Sequence, residues 1–352
     1  MTETGASLPR ILASYKIIFA AEKMPCGNDM AALVKMRIAK YPTTPFEEQM
    51  KAILDRVALF RKSAGPTSQA DRATKLCRAG LYSKATAAML GSPILEWSPN
   101  VLDKFRSKFP EETADTTAPA SDEDDAQEAQ HYSASAVRQA IASFRKGSAA
   151  GAAGWSPDIL KRLIALPGRG DRVVGALAKI LPALRSTEGE LRRVIYGGRG
   201  LPLDKGAGDV RPIVVPDTFR RLGAKVVMAA NAEAIEAVLV AHHQCGVLLK
   251  RGAEITCHAI RILADAHPDL IAIKVDCSNA FNSVSRKAIR AALAKHLPQL
   301  GPYFREAYGH HSSCIQCGTD VVECTRGGLQ GDPLMPTLFA AALIDGEVLV
   351  PG

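Results

Sequence analysis

Four short stretches carry the residue types that do polar chemistry. The first is Ile271-Ala272-Ile273-Lys274-Val275-Asp276, an apolar, β-branched run that stops at a carboxylate. Such a run predicts a buried strand. No turn residue precedes Asp276, so its side chain is expected at the strand's end, on the rim of a cleft. An acid there costs desolvation energy unless a cation meets it, and a divalent metal is one such cation; capping the next helix is the other use of an Asp at this place. The second stretch, Leu201 to Pro216, sets two apolar segments around Lys205-Gly206-Ala207-Gly208-Asp209 and predicts a β-hairpin. Its tip would present Lys205 and Arg211 either to an anion or to solvent. In the third, Gln330-Gly331-Asp332-Pro333, a turn runs into a helix start: Gly331 lets backbone approach a ligand, Asp332 can cap, and Pro333 suits the first turn. The fourth holds His310, His311, Cys314 and Cys317, with Cys324 beyond, all types that bind zinc. Ile315, Val321 and Val322 flank a Gly318-Thr319-Asp320 turn there, which predicts a hairpin and not a metal cluster.

Taken together, the Asp276 stretch (to Val284) and Gly327 to Pro336 resemble motifs A and B of the palm domain of reverse transcriptases, most closely those of non-LTR (LINE-like) retrotransposons. Leu201 to Pro216 resembles the fingers hairpin of that family, Gly147 to Asp158 its Gly-rich entry segment, and His242 to Gly252 the Gln-x-Gly-Phe segment before the palm, with Val247 where an aromatic is common. The likeness covers roughly residues 147–345. It implies RNA-templated DNA synthesis by two-metal nucleotidyl transfer, with RNA template, DNA primer and deoxynucleoside triphosphates as partners and Mg2+ as cofactor. By the same likeness Asp276 is the catalytic metal ligand and the backbone carbonyl of Cys277 a further one. Lys205 and Arg211 hold the triphosphate, Arg211 being the closer match. Phe281 packs against the sugar and disfavours a 2′-hydroxyl, although by pattern alone it is equally a core residue. Gln330, with Gly331, meets the incoming nucleotide or the template base.

The family also needs motif C, an aromatic-Ala-Asp-Asp turn between apolar strands. Asp345-Gly346-Glu347 does not supply it. The expectation is therefore a truncated reverse transcriptase, catalytically incomplete, with part of its palm sheet uncovered. The alternative is a non-catalytic nucleic-acid-binding remnant that uses the same basic surface. An RNA-dependent RNA polymerase shares the palm logic and stands as a more distant reading.

These residues need a frame of helices and a small sheet. Thr44-Pro45-Phe46-Glu47 is a helix start, followed by Met50, Ile53, Leu54, Val57 and Phe60 on one face. A helix is expected over 75–90, an amphipathic one along Val137, Ile141 and Phe144, and another from Ser156-Pro157. A long helix is expected from about Phe219 to Leu239, another over 253–267 leading into the Asp276 strand, and a last one along Leu334, Leu338, Phe339 and Ala342. The fold class expected is α+β: a helical upstream region (1–110), an acidic disordered linker (111–130), a fingers-like region (131–268) and an incomplete palm (269–352).

Bulk composition agrees with a globular protein, at 47% hydrophobic and 23% charged residues. The net charge of +8 is uneven. Residues 111–130 hold eight acids and no base, leaving 44 bases against 28 acids elsewhere, a surplus that favours a polyanionic partner. The eight cysteines follow no disulfide framework, no apolar run is long enough to span a bilayer, and the N-terminus lacks signal-peptide order. The expectation is an intracellular protein of nucleus or cytoplasm, neither secreted nor membrane-bound.

Overall fold

The computed structural model describes residues 68–78, 80–112, 131–151, 153–184, 192, 195–269, 271–309 and 313–346. The expected helix after Thr44, most of the acidic segment and the pair His310-His311 lie outside them. Among the described residues there are thirteen α-helices and one four-stranded mixed sheet, an α+β fold.

Local signals explain most elements. The expected 75–90 helix is two, α1 (Gln69–Arg78) and α2 (Tyr82–Leu90), parted at Gly80, whose φ of +70° a helix cannot use. Ser98 caps α3 (Pro99–Arg106), Ser133 caps α4 (Ala134–Ala142), and Ser156 caps α5 (Pro157–Ile164), each accepting from the backbone N–H three residues on. Pro99 and Pro157 sit in the first turn, where a missing N–H costs nothing. After α6 (Gly170–Ala183) comes the hairpin of β1 (Gly198–Gly206) and β2 (Asp209–Pro216). Its connection is the two residues Ala207-Gly208, both at positive φ (51° and 74°), as a turn matched to strand twist requires.

The expected long helix after the hairpin is also two, α7 (Thr218–Ala230) and α8 (Ala232–Ala241), broken at Asn231, whose side chain turns back to the Val227 carbonyl. Next come α9 (Gly252–Ala266), the single turn α10 (Ala280–Ser283), α11 (Arg286–His296) and the short α12 (Gly301–Phe304), which runs into a π-turn over Arg305–Gly309. Strands β3 (Ser313–Cys317) and β4 (Asp320–Cys324) form the second expected hairpin, and α13 (Met335–Ile344) closes the described chain. Sheet order is β2-β1-β3-β4, with both hairpins antiparallel and β1 parallel to β3 through Gly198↔Ile315.

One expectation fails. Residues 271–277 belong to no strand or helix, and Ile271, Ile273 and Val275 are 87%, 83% and 69% exposed. A strand exists only if a neighbour takes its backbone N–H and C=O groups, and none of the four described strands pairs with this run. Helix α9, which leads into this run, forms as expected yet buries only Gly252 and exposes Ile255, Ile260, Ile262 and Leu263. No helix among the described residues is long and apolar enough to cross a membrane.

Two cores hold the fold. The larger joins α4 to α8 with α11 and α13 around Ile141, Leu222, Ile235, Ile289 and Leu338. The smaller lies on one face of the sheet, where Val210, Val214, Ile315, Val322 and Leu329 meet Phe105 and Phe109 from α3 and the turn after it. Gly200 allows this approach: a Cβ there would stand 3.0 Å from the Phe105 ring and 2.9 Å from the Cys317 sulfur. The segment 93–112 is thus tied to the hairpin, with the Leu95 N–H donating to Pro202 and the Asp204 N–H to Pro93.

Candidate functional site

The hairpin turn places Lys205 and Arg211 on solvent-facing positions beside the tip, because β2 alternates and points Val210, Pro212 and Val214 into the core. Facing it, the chain leaves the unpaired run at Asp276 and Cys277 and enters α10 through Asn279, held at φ +50°. The Gly327-Gly328 pair then pins α10. The Gly328 N–H donates to the Phe281 carbonyl at 2.8 Å, and a Cβ on Gly327 would fall 2.3 Å from that same oxygen. Nothing larger than glycine fits, and the close approach brings Gln330 alongside Phe281.

These segments enclose one cavity of about 600 Å³, within the ~300–1,000 Å³ usual for small-molecule sites. Its walls include Lys205, Arg211, Asp276, Cys277, Phe281 and Gln330, six of the seven residues singled out from the sequence. The seventh, Gly331, lies outside the wall. It packs on β2, where a Cβ would come within 2.3 Å of the Val214 carbonyl oxygen, so it sets the distance between the Gln330 turn and the hairpin. Phe281 is half-buried, its ring edge-on to Phe339 at 5.5 Å, so it serves the core and the cavity at once.

Two charged wall residues escaped the sequence reading. Lys108 comes from the turn after α3, about a hundred positions upstream of the hairpin, and no local pattern marks it. Asp209 was visible only as a turn residue. Lys108 holds Asp209 at 2.8 Å, and Lys205 approaches its other oxygen at 3.5 Å. The Lys108 hydrogen bond, the Val210 N–H and the Lys205 charge draw the Asp209 carboxyl down from 3.8 to about 2. With a depressed folded value, the stabilisation this acid provides is present above pH 3.8 and is lost as pH falls towards 2. A carboxyl-carbon NMR titration is expected to place its midpoint near 2, and Lys108→Met to raise it towards the ordinary value; an unshifted midpoint in the variant would remove Lys108 as the cause.

Among the described residues, no three His, Cys, Asp or Glu side chains gather closely enough to hold a metal ion. Cys314 and Cys317 point to opposite faces of β3, and burial pushes the Cys317 thiol up to about 12, far from the thiolate that zinc takes. Magnesium makes a lighter demand: one or two carboxylates, with water and substrate phosphate completing the shell. The cavity wall carries two carboxylates, Asp276 and Asp209. Asp209, held by two lysines, is not available as a second ligand.

Asp332 was expected to cap a helix. One oxygen does accept from the Leu334 N–H, but the other is buried against Arg220 at 2.8 Å and the Tyr308 hydroxyl at 2.7 Å. It is an internal anchor and does not reach the cavity. In comparisons with known proteins, no family model matches the chain and no curated protein matches it.

Proposed function

We propose that the cavity binds the triphosphate of an incoming deoxynucleotide with Mg2+, and that the chain is a polymerase of the reverse-transcriptase kind in ancestry and architecture. The observation that carries this reading is that three segments distant in sequence bring Lys205 and Arg211, Asp276 and Cys277, and Gln330 to the wall of one nucleotide-sized cavity.

Each group then has a task. Arg211 supplies a fork that fits phosphate oxygens, and Lys205 a mobile point charge. Asp276, with the Cys277 carbonyl, would hold one Mg2+, which neutralises phosphate charge and orients the leaving group. Phe281 offers a flat apolar wall to the sugar, and Gln330 an amide to a base edge. Two-metal transfer needs more carboxylate than the described residues provide, so the proposal is strong nucleotide binding and weak or absent polymerisation by this chain alone.

Titration with a fluorescent deoxynucleoside triphosphate tests it. Arg211→Ala is expected to weaken binding about 10–100-fold, the loss of a charge-assisted contact of roughly 1.5–3 kcal/mol. Asp276→Asn should remove the enhancement by Mg2+ while leaving metal-free binding intact. Wild-type affinity in Arg211→Ala would end the reading. Primer extension on an RNA template, with Asp276→Asn as control, measures what polymerisation remains.

A further inference from the structure

Helix α9 is fifteen residues long, and Gly252 is its one buried residue among the described part of the chain. A helix of that length is marginal in water unless tertiary packing covers one of its faces. The bare surface of α9 is also apolar, with Ile255, Ile260, Ile262 and Leu263 all exposed. Single exposed side chains of this kind are ordinary, but four on one uncovered helix point to a missing partner.

The spacing along α9 says what kind of partner fits. Gly252, Ile255, Ala259, Ile262 and Ala266 follow one another at intervals of three, four, three and four. That is the a and d seam of two heptads, with large and small residues alternating along it. Beside the seam, Arg251, His258 and Asp265 recur every seven residues at the g position. A cation at the start of a helix and an anion in its last turn are the reverse of what the helix dipole favours. Inside the chain, Arg251 Nε stands 3.8 Å from Glu254 with both side chains well exposed, a pair that holds little. An antiparallel copy of α9 removes the conflict. Its g positions face those of the first helix, so Arg251 meets Asp265 of the other copy, twice by symmetry. In the same register Ile255 packs against the small Ala259 of the other copy, and the two helix dipoles oppose. A parallel copy would set g against e, where Thr256 and Leu263 offer Arg251 no charge.

We infer that α9 is an isologous interface between two copies of this chain, packed antiparallel about a two-fold axis near His258. The charges of α9 argue against a lipid surface, because Arg251, Glu254, Arg261 and Asp265 balance and leave no cationic face. A helix of fifteen residues is only ~22 Å long, short of the roughly 800 Å² per partner of a standard interface. The dimer is therefore weak, with a dissociation constant of about 1–100 μM. It does not depend on the nucleotide reading, since its experiment measures association and no ligand is present.

Sedimentation velocity of the full chain over this concentration range is the test. The wild type is expected to pass from one chain to two. Asp265→Arg makes both symmetry-related pairs repulsive and should weaken association about tenfold or more. Arg251→Asp with Asp265→Arg exchanges the charges and should return the affinity to within about threefold of wild type. Ile262→Asp puts a charge in the seam and should leave a single chain throughout. All four side chains are exposed, so thermal unfolding should stay at the wild-type temperature. A wild type that remains single at every concentration overturns the interface, whether or not it floats with phosphatidylserine vesicles. So does an Asp265→Arg chain that associates as wild type does, or a charge exchange that fails to recover the loss.

Discussion

Replacing Asp332 with alanine is expected to destabilise the protein by about 3–5 kcal/mol, because it strands a buried guanidinium. Arg220 and Asp332 are both wholly inaccessible, and they meet at 2.8 Å. Arg220 Nε also reaches the same carboxylate oxygen, at 3.2 Å, and a second guanidinium nitrogen donates to the Tyr196 carbonyl. The guanidinium lies 4.5 Å from the centre of the Tyr308 ring. Burial works against the Arg220 charge, yet Tyr308 and Asp332 beside it hold it protonated above its ordinary value; burial likewise drives the Tyr308 phenol up and keeps it a donor. The carboxylate thus compensates the cation and takes the phenol's proton donor as well. Asp332→Asn should cost less, since an amide oxygen still accepts from Tyr308. The pair Arg220→Met with Asp332→Leu should recover much of the loss, because an apolar replacement for both partners leaves no charge behind. Urea unfolding reads all three. A loss below about 1 kcal/mol for Asp332→Ala would mean that water reaches Arg220.

What could be read in advance follows from the range of the forces involved. Both hairpins were legible because alternation and turn chemistry are local: Ala207-Gly208 and Gly318-Thr319 mark the bends, and Val210, Val214, Ile315 and Val322 mark the inner face. The helix start at Ser156-Pro157 was legible for the same reason. The break at Asn231 was not, because it sits inside an unbroken run of helix formers, and only its own side chain turning on Val227 ends the helix. The parallel pairing of β1 with β3 joins residues more than a hundred positions apart, as does Lys108 with Asp209. No pattern within either segment encodes such partners. The Asp276 stretch shows the opposite error. Its composition is that of a strand, yet composition sets only the capacity to pair, and no described strand pairs with it. The cavity survives that miss because Asn279, α10 and the Gly327-Gly328 strap, not a ladder, place Asp276 on its wall.

That strap makes the second large prediction. Arg286, buried at the start of α11, donates from Nε to Gly327 at 2.9 Å, and from its two terminal nitrogens to Tyr308 at 2.8 Å and Cys324 at 2.7 Å. One side chain therefore satisfies the carbonyls of the π-turn, the end of β4 and the first strap glycine. Arg286→Met keeps the stem and removes every donor, leaving three carbonyls to find water or go without. At roughly 1–3 kcal/mol for each buried unsatisfied group, partly offset by relaxation, a loss of about 3–5 kcal/mol is expected. Arg286 does not line the cavity, so it touches no nucleotide. Yet Gly327 frees Gly328 to bond Phe281, and Gln330 follows two residues later. Loosening the strap should let Phe281 and Gln330 part, and triphosphate affinity should fall by less than in Arg211→Ala. Arg286→Lys replaces a fork with a single ammonium and should recover stability only in part. If Arg286→Met lost stability while triphosphate affinity stayed at the wild-type value below its unfolding transition, the strap would hold the fold without placing the cavity wall.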